Sequence, residues 1–182
     1  MVRAIMHGCN GHMGQVITGL IKNDESIEIV AGIDKYKGIE NDYPVFDSME
    51  ACTEEADVVI DFSNAAAIDA LLDSCKDKKL PVVLCTTGLS EEQLAKVKET
   101  AKETAVLKSA NMSLGINLLL KLLKEATAVL APAGYDMEIV ERHHNQKLDA
   151  PSGTALALAD SMNEAMENPV SYTHLTLPTN SR

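Results

Sequence analysis

The sequence has no tryptophan, and aromatic residues make up only 3% of its 182 positions. Proteins that bind single-stranded nucleic acid stack bases on exposed rings, so this chain lacks the material for that role. Positive charge is also scarce: 16 Lys and Arg stand against 27 Asp and Glu, a formal net charge of −11. Nucleic acid and anionic membrane surfaces both require a basic face, so neither is expected as a partner. No apolar run approaches the ~20 residues of a membrane-spanning helix. The cysteines Cys9, Cys52, Cys75 and Cys85 form no Cys-x-x-Cys pair and have no histidine at zinc-finger spacing. They read as reduced thiols of a cytoplasmic protein, and no metal centre is expected. The N-terminal stretch carries one basic side chain, Arg3, before turning glycine-rich, which reads as a first strand and not as a signal peptide. There is no internal repeat and no low-complexity segment.

What is present is 46% hydrophobic residue content, enough for one full core plus part of a second. Apolar runs of strand length alternate with helical periodicity. Strands are predicted over 2–7, 27–33, 57–62, 81–85 and 105–108, and helices over 13–22, 65–76, 90–103, 114–130 and 154–167. The first helix has Met13, Val16, Ile17, Leu20 and Ile21 on one face, and Ser90 with Gln93 fits a capping box at the start of the third. The strands are continuously apolar, as in a parallel sheet covered on both faces. The predicted class is therefore α/β, a Rossmann-like doubly wound parallel sheet. Residues 136–142 alternate polar and apolar instead, which predicts a half-buried strand opening a second, α+β domain.

The turn between the first strand and helix is Gly8-Cys9-Asn10-Gly11-His12-Met13-Gly14. Glycines there let the backbone turn tightly and approach a pyrophosphate, while the helix N-terminus offers free N–H groups and partial positive charge. Asp34 ends the second strand about 20 residues on, where an acid would bond ribose hydroxyls. Lys35 follows at once, and its cation suits a 2′-phosphate, so the pair suggests use of both NADH and NADPH. Polar segments close three further strands: Asp61-Phe62-Ser63, Cys85-Thr86-Thr87-Gly88 and Ser109-Ala110-Asn111-Met112-Ser113. Ligands of open α/β sheets sit at such carboxyl ends.

The richest stretch runs from Glu141 to Ala155 and contains His143, His144, Lys147 and Pro151-Ser152-Gly153-Thr154. Histidine serves as a general acid near neutral pH. Lysine donates protons and binds carboxylates as a point charge. The Pro-Ser-Gly-Thr turn opens a helix whose hydroxyls and amides can hold an anion. Adjacent histidines do not share a helix face, and no third ligand accompanies them, so a metal site is not expected.

This stretch resembles the H-H-x-x-K-x-D-A-P-S-G-T-A signature of the 4-hydroxy-tetrahydrodipicolinate reductase (dihydrodipicolinate reductase) family. The G-x-x-G-x-M-G turn, the D-F-S strand end, the T-T-G turn and the A-N-x-S-x-G segment match that family in the same order, and the resemblance covers residues 2 to about 168. It implies NAD(P)H-dependent reduction of a cyclic imine dicarboxylate in the diaminopimelate route to lysine. It further implies His143 as acid/base, Lys147 as proton donor, and His144, Ser152, Gly153 and Thr154 as substrate-binding. Gly8, Asn10, Gly11, His12, Met13 and Gly14 would line the dinucleotide, with Asp34 and Lys35 on its ribose. Cys85, Thr86, Thr87, Ser109, Ala110, Asn111 and Met112 would surround the nicotinamide end. Two positions depart from the family pattern: His12 stands where arginine is common, and Cys85 where glycine is usual.

The expected organisation is a dinucleotide-binding domain over 1–112, a partial substrate domain over 113–168 and a non-native tail over 169–182. The resemblance implies a homotetrameric parent protein, most of whose second-domain sheet this chain lacks, so the chain itself is expected to be inactive. The alternatives are another Rossmann dehydrogenase of amino-acid metabolism, or a nucleotide-binding module without catalysis.

Overall fold

A computed structural model describes residues 1–109, 111–143 and 150–166. The chain divides into two compact units, Met1–Ser109 and Ala110–Arg182. The first is built on a six-stranded sheet, with β1 (Val2–His7), β2 (Ile27–Ile33), β3 (Val45–Phe46), β4 (Val58–Asp61), β5 (Val82–Leu84) and β6 (Val106–Lys108) in the order β3-β2-β1-β4-β5-β6. Every neighbouring pair is parallel. Between β1 and β4 the order reverses direction, which opens a crevice at the carboxyl ends of the strands.

The five strands predicted between residues 2 and 108 are all present. The sequence reading missed β3, which has two residues and too few apolar positions to register as a strand. It forms because Gly32 and Ile33 at the end of β2 pair with Val45 and Phe46. Helices α1 (His12–Ile21), α2 (Ile68–Lys78) and α3 (Glu91–Thr100) connect the strands, and a turn of 3₁₀ helix, Ala65–Ala67, leads into α2. At the start of α3 the predicted capping box is complete: Ser90 Oγ accepts from Gln93 N–H, and the Gln93 side chain accepts from Ser90 N–H. α2 ends in left-handed Lys79, whose neighbour Leu80 donates its N–H to the Cys75 carbonyl at 2.8 Å.

The core of this unit is the apolar filling between sheet and helices: Ile5, Val59, Ile68, Leu71, Leu72 and Leu84 are almost wholly enclosed. Burying each such side chain contributes about 1.5–3 kcal/mol, so this packing, not the short strands' own propensity, holds the sheet. Cys9, Cys52, Cys75 and Cys85 are all free and buried.

The second unit contains α4 (Leu114–Leu130) and α5 (Gly153–Asn163). They are pinned by Ser161 Oγ donating to the Leu120 carbonyl at 2.6 Å and by a Lys124–Glu164 ion pair at 2.7 Å. The strand expected over 136–142 is not formed. Ile139 and Val140 are 41% and 82% exposed, and no segment among the described residues offers a ladder to pair with. An alternating pattern makes a strand only where a partner satisfies its backbone. Among the described residues no helix is long and apolar enough to cross a membrane, and no group of three or more His, Cys, Asp and Glu is placed to hold a metal ion.

Candidate active site

The glycine turn sits at the end of the central strand β1. Gly8 has φ +80°, and a Cβ there would lie 2.6 Å from the Phe62 carbonyl oxygen. A Cβ on Gly14 would run into the carbonyls of Gly8 and Cys9. Both positions therefore need glycine, one for its backbone angle and one so that α1 can press against the turn. Gly11 caps α1 without any side-chain hydrogen bond, so the exposed helix start offers its first amides, beginning with His12 and Met13, to an anion.

Asp34, at the end of β2, is bound into this turn. Its Oδ2 accepts the Asn10 N–H at 3.0 Å, and its Oδ1 accepts the Tyr36 N–H at 2.9 Å. The Asn10 side chain reaches the same loop, donating to the Tyr36 carbonyl and accepting from Asn41 Nδ2. Gln15 completes the brace by donating to Cys9 O at 2.9 Å and Asn41 Oδ1 at 3.0 Å. Asn10 is thus used to hold the loop after β2 against the glycine turn. Alongside lies a cleft of about 470 Å³, whose lining includes His7, Gly8, Gly11, Asp34, Lys35 and Ser63. A second cleft of about 460 Å³, around Arg3, Asp57 and Lys78, opens at the amino ends of β1 and β4, away from the glycine turn at the carboxyl end.

Between β1, β4 and β5 lies a polar node: the sequence marked Asp61, Ser63 and Thr86 as polar strand ends, but neither His7 nor the sharing of one carboxylate by His7, Ser63 and Thr86. The Asp61 carboxylate is fully buried. Its Oδ1 takes His7 Nδ1 at 2.6 Å and the Ser63 hydroxyl at 2.6 Å, and its Oδ2 takes the Thr86 hydroxyl at 2.7 Å. Burial alone would raise its pKa, but the bonds from His7, Ser63 and Thr86 prevail and hold it below the usual carboxylate range. Next to it, burial pushes the Cys85 thiol up to about 11. The available signal was an acid ending the otherwise apolar run Val58–Ile60 and a histidine ending β1.

Of the remaining expected cofactor residues, Thr87 lies exposed after β5 and Ser109 follows β6. Ala110, His144 and Lys147 lie outside the described residues. In the second unit, Ser152 caps α5, its Oγ accepting the Ala155 N–H at 3.0 Å. Gly153 and Thr154 form the first turn of that helix. Asn111 Nδ2 donates to Thr154 Oγ1 at 3.0 Å. Glu141, whose role the sequence did not reveal, receives the Ser152 N–H and hydroxyl and approaches His143 Nδ1 at 3.3 Å.

A parallel sheet that reverses direction beside β1, a glycine turn feeding a helix, and an acid ending the second strand define a dinucleotide-binding protein of the Rossmann type. Family profiles described as "Dihydrodipicolinate reductase, N-terminus" and "Dihydrodipicolinate reductase, C-terminus" match residues 2–112 and 115–179. The chain belongs to the dihydrodipicolinate reductase family of NAD(P)H-dependent oxidoreductases. It is 51% identical over 174 residues to the 4-hydroxy-tetrahydrodipicolinate reductase of Caldanaerobacter subterraneus subsp. tengcongensis, covering 96% of this chain and 68% of that protein. To the Clostridium novyi enzyme of the same name it is 50% identical over 167 residues, covering 92% of this chain and 66% of the relative. The chain thus spans about two thirds of the length of these relatives. Among solved structures, the dipicolinate-bound dihydrodipicolinate reductase of Paenisporosarcina sp. TG-14 matches with a TM-score of 0.75 and 29% identity, covering 100% of this chain and 71% of that one.

Proposed function

We propose that this chain carries the cofactor site and catalytic loop of a reductase that converts 4-hydroxy-tetrahydrodipicolinate to tetrahydrodipicolinate, on the diaminopimelate route to lysine. The observation that carries the reading is the fit of a dinucleotide to the glycine turn: Gly8 and Gly14 sit where no side chain fits, beside a cleft bordered by Asp34 and Lys35. NADH or NADPH, when bound, supplies the hydride. The amides at the start of α1 hold its phosphates, Asp34 and Lys35 meet the ribose beside the adenine, and Thr86, Thr87, Ser109 and Asn111 serve the nicotinamide end.

In the second unit, Gly153 and Thr154 use the N-terminus of α5 to hold a ring carboxylate, and Ser152, expected to share that role, instead shapes the helix start, since its N–H and hydroxyl are both given to Glu141. His144 assists in that binding, Lys147 delivers the proton that balances the hydride, and His143 acts as acid/base. The functional protein is a homotetramer of the cytoplasm, a compartment that suits four free buried thiols.

The test is a chimera in which the C-terminal third of a relative, the part this sequence does not span, is joined to it. Replacing His143 with Gln or Lys147 with Ala is expected to lower turnover by at least about 10²-fold, the scale of lost general acid–base catalysis. NADH affinity, read from nicotinamide fluorescence, is expected to stay within about twofold, or about 0.4 kcal/mol. Turnover that survives both changes contradicts these roles.

A further inference from the structure

We infer that Asp61 is a positioning residue for the dinucleotide, holding the glycine turn and the Thr86 rim at the separation that one intact cofactor requires. The inference rests on the cofactor reading above. Three strand ends meet at this one carboxylate: His7 closes β1 and precedes the Gly8 turn, Ser63 follows β4, and Thr86 follows β5. Backbone bonds continue the same clamp. Phe62 N–H donates to the His7 carbonyl at 3.0 Å, and Cys85 N–H donates to the Asp61 carbonyl at 3.0 Å.

The chemistry at Thr86 is specific. Its hydroxyl proton is given to Asp61 Oδ2, so only oxygen lone pairs remain for a ligand. The cofactor group meeting it must be a donor, such as a ribose hydroxyl or the nicotinamide carboxamide. His7 and Ser63 are oriented by the same oxygen, Oδ1, and both border the cleft beside Gly8. Asparagine presents one acceptor and one donor, so it cannot accept from all three partners, and a shorter side chain cannot reach them.

A clamp of this kind matters only to a ligand that touches both ends of the site. NADH bridges them, whereas AMP occupies the Asp34 side alone. The experiment is calorimetric titration of the 182-residue chain and its variants with each ligand. Asp61→Asn is expected to weaken NADH about tenfold or more while AMP stays within about twofold, about 1.4 against 0.4 kcal/mol. Thr86→Val removes the hydroxyl at nearly constant shape and should reproduce the loss, and Thr86→Ser should restore it. Should Asp61→Asn fail to fold, the Thr86 pair decides alone. In the double variant the two losses should fall well short of additive, since one residue acts through the other. Equal weakening of NADH and AMP, or unchanged NADH binding in Thr86→Val, overturns the inference while leaving the cofactor site standing. A parent chain that binds neither ligand overturns the cofactor reading and this inference with it.

Discussion

Ser152 is bound twice by Glu141: its hydroxyl reaches Oε2 at 2.5 Å and its amide reaches Oε1 at 2.9 Å. The same carboxylate stands 3.3 Å from His143 Nδ1. One acid therefore joins the expected acid/base to the cap of the helix expected to hold substrate. An acceptor at Nδ1 favours the proton on that nitrogen and leaves Nε2 for chemistry. Nitrogen NMR of the neutral His143 ring is expected to report an Nδ1–H tautomer, and Glu141→Gln should shift the population toward Nε2–H. A native ring protonated at Nε2 would count against this arrangement.

Loss of the cap itself has a separate signature. Ser152→Ala removes the acceptor for Ala155 N–H and is expected to destabilise the second unit by about 1 kcal/mol. Hydrogen exchange at the first amides of α5 should accelerate about fivefold, with the amides of β1 and β4 unchanged.

Gly8 and Gly88 differ in a way that two alanine substitutions resolve. Both have positive φ, +80° and +73°, but a Cβ at Gly88 meets nothing within 4 Å. Gly88→Ala is expected to cost only the left-handed strain, about 1–2 kcal/mol. Gly8→Ala adds the collision with Phe62 O, so denaturant midpoints should place it well below Gly88→Ala, with NADH binding lost. Equal costs would remove the argument for a tight turn.

Asp34 is expected to set the balance between the two cofactors. Its carboxylate, anchored by Asn10 and Tyr36 amides, suits ribose hydroxyls and repels a 2′-phosphate. Asp34→Ser should shift the ratio of NADPH to NADH affinity about tenfold toward NADPH, or about 1.4 kcal/mol. An unchanged ratio places the adenosine ribose elsewhere.

The thiols make stability depend on alkaline pH. Burial lifts Cys75 from 9.0 to about 12, and Cys9 and Cys85 to about 11. As pH rises past 9.0 the unfolded chain releases thiol protons that the folded chain keeps. Stability from this source is intact below 9.0 and is lost progressively toward 11 and 12. Calorimetry should show the melting temperature falling over that range, less steeply in Cys75→Ala. A flat profile from pH 8 to 11 contradicts it.

Much of this protein was legible in the sequence because its signals are local. Apolar runs mark the five longer strands, Ser90 and Gln93 mark a cap, and Gly8, Gly11 and Gly14 mark a turn whose first and last positions admit no side chain. The strand expected over 136–142 failed because alternation records a face and not a partner. Strand β3 was invisible because pairing with Gly32 and Ile33, not its own two residues, makes it a strand.

The sequence by itself therefore determined the α/β class, the glycine turn after β1 and the capping box of α3, since propensity, capping and glycine requirements act over a few neighbouring residues. Tertiary structure alone decided that His7, Ser63 and Thr86 share the Asp61 carboxylate, that Asn10 braces the loop after β2, and that Glu141 joins His143 to Ser152. These bonds link residues up to 54 apart in the chain, and a hydrogen bond's partner is fixed by where the folded backbone brings two groups within about 3 Å.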